Sequence, residues 1–457
     1  MEETNNNQNI KRVIIFFGIV LTIAIITFIV INRFVLKGDK PTPTPTPIPT
    51  DKPTVTPTAN PITISPTPIS PTSSPNSTPK VTSGDFTIDI IKQINNGNTS
   101  NYLISPYNIE IALNMLRDGA LGNTKMEIDN VIGNRTIKNI NIPGSVNVAN
   151  GAFIKNEYKN SIKSNYINTL KNKYQSEILY DEFIKPDVIN NWVKEKTNEM
   201  IPKILEEMNP NFVMGLASAL AIDVKWQNEF ECDRTSSGKF TKVDNSIINA
   251  QMMHNTYKVN AKYLKSDDAG GVILPFKSDS ENNQLEFVGI LPNSNVNSYV
   301  NNLTREKLNS LLNSEKESSN KFYIHVSLPR FIYDYSVNDF KDVLQKMGIN
   351  DAFNPTNANF YNMIERKENT PDNVYVSDAI HKTHIELNEV GVKAAAITFF
   401  GMAGTGMPPK DYEEVSVKFD KPFIYMIRER NTGEILFFGA VYEPNEWNGF
   451  TCQNNNS

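Results

Sequence analysis

Apolar and polar positions along this chain fall into three regimes. Val13 to Ile31 is an unbroken uncharged stretch behind Lys11-Arg12, and its length matches the roughly 20 residues that a helix needs to cross a bilayer. From Pro41 to about Pro79 the pattern dissolves into Pro-Thr repeats and then Ser/Thr/Pro with scattered apolar residues. Such a composition cannot bury a core and prefers extended polyproline II. From about Gly84 onward, helical and strand periodicities alternate with turn signals, as they do in a globular domain.

Within that domain, Ser105-Pro106 supplies an N-cap and a first-turn proline, Ile109, Ala112, Leu113 and Leu116 form one apolar face, and Gly119 closes the helix. Thr124 and Glu127 read as a capping box for a second helix carrying Ile128, Val131 and Ile132. Ile189, Trp192 and Val193 mark a third, which Pro202 separates from Ile204-Leu205. Ser336 with Asp339 opens a fourth, bearing Val337, Phe340, Val343, Leu344 and Met347 and ended by Gly348. Phe322, Ile324, Val326 and Leu328 alternate with Lys321, Tyr323, His325 and Ser327, which predicts a half-buried strand. Phe423 to Ile427 and Ile435 to Val441 are nearly continuous apolar runs joined through Arg430-Asn431-Thr432-Gly433, which predicts a buried hairpin. Helices concentrate early and strands late, the order of an α+β domain.

These regimes divide the chain into a cytoplasmic N-terminus (1–12), a transmembrane signal anchor (13–31), a Pro/Thr/Ser-rich extended linker (32–83) and a globular domain (84–457). A cleaved signal peptide would need a shorter apolar region and a small-residue cleavage site, and Ile31-Asn32-Arg33-Phe34 offers none. Arg33, Lys37 and Lys40 balance Lys11 and Arg12, so charge alone does not orient the anchor. The stalk does: some forty residues at roughly 3.1 Å each reach on the order of 100 Å. That is the span of a domain held beyond a cell wall, and it places the globular part outside a single-pass cell membrane. A plain interdomain linker is the competing account, although no second domain precedes it.

The net charge of −5 and the absence of a Lys/Arg run argue against a nucleic-acid surface. The two cysteines, Cys232 and Cys452, form no close-spaced framework, so neither a disulfide scaffold nor a cysteine zinc site is indicated, and whether they pair is not readable from their positions. Among four histidines, His381 and His384 have H-x-x-H spacing. Strand alternation turns His381 inward with Thr383, Ile385 and Leu387 and His384 outward with Lys382 and Glu386, so they face opposite sides. His381 is expected as a hydrogen-bonded core histidine and His384 as a solvated one. Gly401-Met-Ala-Gly-Thr-Gly406 lacks the Lys-Ser/Thr of a phosphate cradle and runs into Pro408-Pro409. No nucleophile motif is present, so neither an enzyme, a cofactor nor a metal site is expected.

The stretch from Glu389 to Pro409 is chemically odd. Its alanine content alone favours helix. As a strand, it would place Val392, Ala394, Ala396 and Thr398 on one face and Lys393, Ala395 and Ile397 on the other, with the only charge on the second face.

The neighbouring residues resolve this ambiguity. Ile104-Ser-Pro-Tyr-Asn-Ile109, Asn191-Trp192-Val193 with Thr197, Leu328-Pro-Arg-Phe331 and Met347-Gly-Ile-Asn-Asp-Ala-Phe353 occur in order. Val376-Ser-Asp-Ala-Ile-His381 then leads through Glu389 into Gly391-Val-Lys-Ala-Ala-Ala-Ile-Thr398, followed by Phe419-Asp-Lys-Pro-Phe423 and Gly433-Glu-Ile-Leu-Phe-Phe-Gly439. From about Gly84 to Trp447 the chain resembles a serpin, the fold of serine-protease inhibitors. The resemblance implies an α+β fold of three β-sheets and about nine helices with a C-terminal reactive-centre loop. It also implies suicide-substrate inhibition: a protease cleaves the loop, is trapped as an acyl-enzyme, and is displaced as the hinge inserts into the large sheet.

The resemblance makes Glu389, Gly391, Val392, Lys393, Ala394, Ala395, Ala396, Ile397 and Thr398 the hinge, and Ser105, Ser218, His381 and Trp226 the shutter and breach beside it. Counting from the hinge puts the scissile bond at Thr405-Gly406, with Met402-Ala403 and Met407-Pro408 as competitors. Val392 and Lys393 replace the family's usual Thr and Glu but keep the inward face uncharged. Ser218 stands for the usual Asn, which puts that residue's polar contact to His381 in question. The loop between Glu389 and Pro422 is about six residues longer than is common. The absence of a basic residue at these bonds favours elastase- or subtilisin-like serine proteases as partners, with cysteine proteases a further class, and a monomer is expected. A non-inhibitory serpin acting as a binding or surface structural module is the alternative, and a wall-spanning adhesin with a serpin body is a third.

Overall fold

The computed structural model describes residues 84–133, 135–138, 140, 142, 145–278, 284–365, 373–392 and 411–445. The predicted anchor and linker, most of the hinge and the scissile bond lie outside the described residues. Among those described, no helix is long and apolar enough to cross a membrane.

Eight α-helices are present among the described residues: α1 (Phe86–Asn95), α2 (Pro106–Gly119), α3 (Gly122–Ile132), α4 (Ser164–Tyr174), α5 (Asp187–Lys196), α6 (Val296–Asn301), α7 (Arg305–Asn313) and α8 (Phe340–Met347). Helix α2 starts as expected, with Ser105 Oγ accepting from the Asn108 amide and Pro106 at the first turn. The Thr124–Glu127 capping box does not form. Helix α3 begins earlier, capped by Leu121 without a side-chain bond, because tertiary contacts claim both residues. Thr124 Oγ1 accepts from the Asn359 amide at 3.0 Å, and Glu127 Oε2 accepts from the amides of Asn350 and Asp351 at 2.7 Å each. Helix α5 ends at Lys196, well before Pro202. Ser336 belongs to a strand, and α8 starts at Phe340 after Asp339 in the left-handed region (φ 48°).

The strands are β1 (Tyr102–Ile104), β2 (Val146–Lys155), β3 (Glu177–Asp181), β4 (Met214–Ile222), β5 (Val224–Lys225), β6 (Ser236–Thr241), β7 (Ile247–Tyr257), β8 (Lys262–Lys265), β9 (Ala269–Pro275), β10 (Leu285–Pro292), β11 (Lys316–Glu317), β12 (Phe322–Pro329), β13 (Phe331–Ser336), β14 (Lys382–Leu387), β15 (Gly391–Val392), β16 (Glu413–Lys418), β17 (Phe423–Glu429) and β18 (Ile435–Val441). One sheet runs β1-β18-β17-β10-β9-β8-β11 and is built around the buried β17–β18 hairpin; a second runs β16-β12-β7-β6. In the second, β12 alternates buried and half-buried residues as its period-2 pattern requires.

The remaining strands form two hydrogen-bonded groups, β3-β2-β4 and β13-β14-β15-β5. Strands β4 and β5 are consecutive along the chain, so these groups are two parts of one surface joined through Asp223. The large sheet of the expected three-sheet plan is therefore divided between β4 and β14.

Candidate functional site: the hinge and the slot below it

The hinge is built on a tight turn. After β14 the Asn388 side-chain oxygen accepts from the amides of Val390 (2.9 Å) and Gly391 (3.2 Å), and the Asn388 amide donates to the Gly391 carbonyl at 3.0 Å. An Asx turn of this kind reverses the chain locally. The returning residues Gly391 and Val392 form β15, wedged between β14 and β5. Val392 lies opposite Leu387 on one side and Val224 on the other. A Cβ at position 391 would fall 2.0 Å from the Val224 carbonyl oxygen, so only glycine allows this approach. Of the sequence-predicted hinge, Glu389, Gly391 and Val392 are therefore described and seated in the sheet. Lys393, Ala394, Ala395, Ala396, Ile397 and Thr398 lie outside the described residues, as do Thr405 and Gly406.

The turn is held from three directions. Glu389, 1% exposed at its side chain, accepts through Oε1 from Arg330 Nε (2.9 Å) and from the Thr235 hydroxyl (2.6 Å). The Phe230 amide donates to the Glu389 carbonyl at 2.9 Å. Trp226 donates its indole N–H to the Asn388 carbonyl and its amide to the Val390 carbonyl, both at 2.8 Å, while its ring stacks on Phe276 at 4.7 Å. Cys232, in the same 230–235 segment, is disulfide-bonded. The chain's one other cysteine is Cys452, outside the described residues. Sequence reasoning selected Glu389 and Trp226 but assigned no role to Arg330, Thr235 or Asn388. Arg330 was visible only as part of the Leu328-Pro-Arg-Phe331 motif.

Below β15 the described residues show no backbone pairing between β4 and β14. A cavity of about 50 Å³ lies there, lined among others by Ser105, Asn108, Ser218, Leu220, His381 and Thr383. The segment from Thr197 to Ile204, following α5, covers it.

The Ser105 amide donates to His381 Nε2 at 3.0 Å, and Asn108 Nδ2 donates to the Ser218 carbonyl at 3.2 Å. Burial pushes His381 down to about 4, which keeps the ring neutral with Nε2 free to accept. Ser218 makes no hydrogen bond to His381, and both Ser218 Oγ and Asn108 Oδ1 are buried without partners. Strand alternation did place His381 inward and His384 on the opposite face. His384 is not solvated as expected, however: it lies against Asp334 (2.7 Å) and Glu386 (3.3 Å).

A second cavity, about 420 Å³, lies elsewhere, between α1, α7 and the β17–β18 turn. Its three arginines are all ion-paired: Arg135 with Glu110 and Glu434, Arg305 with Asp85, and Arg428 with Glu286. Its charges are neutralised within the domain, so it does not compete with the hinge as the functional site.

The match to known proteins follows this architecture. The family model described as "Serpin (serine protease inhibitor)" matches residues 81–444. An uncharacterized serpin-like protein of Methanosarcina acetivorans is 29% identical over 386 residues, covering 79% of this chain and 84% of the relative. Human neuroserpin is 26% identical over 396 residues, covering 81% and 93%. Among solved structures, the thermophilic serpin tengpin in its native state superposes with a TM-score of 0.68 at 28% identity, covering 79% of this chain and 92% of that one. With a hinge strand seated at the head of a divided sheet and the family model spanning nearly the whole globular part, the chain belongs to the serpin family.

Proposed function

We propose that this serpin is an extracellular, membrane-tethered inhibitor of serine proteases that acts as a suicide substrate. A protease of elastase- or subtilisin-like specificity cleaves the loop between Val392 and Glu413. The freed hinge then continues β15 downward between β4 and β14 and carries the acyl-enzyme with it.

One observation carries this reading. Val392 is already paired on both sides, and directly below it β4 and β14 leave their facing edges unpaired among the described residues. Unpaired backbone edges are costly when buried, and an added strand satisfies both. The next inward positions, Ala394 and Ala396, are small and uncharged. A strand of about a dozen residues at roughly 0.5–1.5 kcal/mol per net hydrogen bond, plus burial, supplies on the order of 10 kcal/mol for distorting a protease. Residues 13–31 and 32–83 serve as anchor and stalk in this reading, supported by their apolar and Pro/Thr composition.

The test is to express the chain from residue 81, mix it with pancreatic elastase and with subtilisin, and look for an SDS-resistant covalent adduct. Adduct together with a large gain in stability after cleavage is expected. If both proteases only clip the loop and the clipped domain gains no stability, the inhibitor reading fails.

A further inference from the structure

Two polar side chains occupy the reversal between β14 and β15, and they work in different directions. Glu389 reaches away from the turn to Arg330 and Thr235, which belong to other parts of the chain, so it ties the turn to the domain. Asn388 reaches back into the turn. Its Oδ1 accepts from the Val390 amide at 2.9 Å and from the Gly391 amide at 3.2 Å, and its own amide donates to the Gly391 carbonyl at 3.0 Å. Asn388 is 2% exposed, and Val390 and Gly391 are buried with it. A buried backbone N–H needs an acceptor, and one side-chain oxygen serves two of them here.

That oxygen sets a direction. Beyond Leu387, the end of β14, the chain turns through residues 388–391 and comes back antiparallel, with Val392 opposite Leu387 and Val224. An Asx turn imposes this reversal locally, before anything further along the chain is paired. The Trp226 indole, donating to the Asn388 carbonyl at 2.8 Å, fixes the same residue from outside the turn. The first step of a descending strand is thus already ordered in the uncleaved protein, and its entropy cost has been met in advance.

Timing is what this order changes. A cleaved loop is joined to the protease as an ester of its catalytic serine, and that ester has two fates. Either water adds to the ester carbonyl, leaving a loop carboxylate and the free serine hydroxyl, or the strand descends first. On the loop-insertion reading above, we propose that Asn388 is a positioning residue that sets the branch between these fates, by holding Val390 and Gly391 in the descending direction before cleavage. It contacts no reacting atom and leaves the rate of loop cleavage unchanged.

The experiment treats full-length wild type, Asn388→Ala and Asn388→Asp with pancreatic elastase and with subtilisin. Mass spectrometry follows the rate of loop cleavage, and gels give the ratio of SDS-resistant adduct to clipped protein. Alanine removes the acceptor, whereas aspartate presents an oxygen to the same two amides. Leu311→Ala, which opens a cavity in α7 away from the turn, shows what lost stability does by itself. The expected result is a ratio lowered about tenfold in Asn388→Ala, the equivalent of about 1.4 kcal/mol and in line with the loss of two acceptor bonds, at an unchanged cleavage rate. Asn388→Asp and Leu311→Ala keep the wild-type ratio. Should alanine prevent folding, Asn388→Ser, whose hydroxyl closes such a turn more weakly, takes its place with an intermediate loss expected. If the wild type forms adduct and the variant lacking the amide forms it in the same ratio, the assignment is overturned and loop insertion stands. Equal losses in Asn388→Asp or in Leu311→Ala overturn it as well, because the acceptor oxygen is then not the cause. If the wild type forms no adduct, both fall.

Discussion

Arg330 and Glu389 form a buried ion pair at the head of the divided sheet, 2.9 Å apart and with side chains only 11% and 1% exposed. Glu389 is the second residue of the turn that reverses β14 into β15, so this pair fixes where the hinge enters the sheet. Removing Glu389 takes this carboxylate away from the buried Arg330 guanidinium. Glu389→Ala is expected to destabilise the intact domain by roughly 3 kcal/mol. The double change Arg330→Met with Glu389→Leu is expected to recover most of that, because an apolar pair leaves no uncompensated charge. Urea midpoints of the three proteins check this, and a single-site loss below about 1 kcal/mol would contradict it.

Val392 is 4% exposed and faces Val224 and Leu387. Val392→Glu asks the sheet to bury an unpaired carboxylate, at a cost of several kcal/mol. Since about 1.4 kcal/mol is a factor of ten, the yield of covalent adduct with elastase or subtilisin is expected to fall at least tenfold, while cleavage of the loop continues. Densitometry of SDS gels separates adduct from clipped product. Unchanged adduct would show that Val392 does not have to be inside the sheet.

His381 is held neutral by burial, its folded value of about 4 lying below the ordinary 6.5. Between those two values the unfolded chain binds the proton and the folded one does not, so this residue's contribution to stability is fully present above pH 6.5. It is lost progressively as pH falls toward 4, by on the order of 3 kcal/mol in all. Denaturation midpoints from pH 7 to pH 4 should therefore fall more steeply for the wild type than for His381→Gln. Parallel slopes would contradict the assignment.

Cys232 is disulfide-bonded within the 230–235 segment that grips Glu389. Removing the bond frees the side chain in that segment. Cys232→Ser is expected to lower stability by roughly 2–4 kcal/mol. Dithiothreitol should lower the wild-type midpoint by the same amount and leave the variant unmoved. Equal midpoints with and without reductant would rule out a stabilising role.

The α+β class, the β12 alternation, the buried β17–β18 hairpin and the inward turn of His381 were all determined by the sequence alone. Each follows from periodicity, and periodicity encodes which side of an element meets the core. The hinge was half legible. Parity turned Val392 inward and left Ala394, Ala396 and Thr398 as expectations, the alanine content by itself argued for helix, and only pairing with β5 and β14 makes Gly391 and Val392 a strand.

What the tertiary structure decided are meetings between residues far apart along the chain. Thr124 and Glu127 have the spacing of a capping box, yet Asn359, Asn350 and Asp351 take both side chains, and a local motif loses to long-range donors. Arg330 and Thr235 reach Glu389 across separate elements, and no spacing rule connects them. The facing edges of β4 and β14, unpaired among the described residues, exist only once the sheet is assembled. Sequence patterning can say which face of a strand is buried. It cannot say which neighbouring strand is missing, because that depends on the backbone edges and not on the side chains.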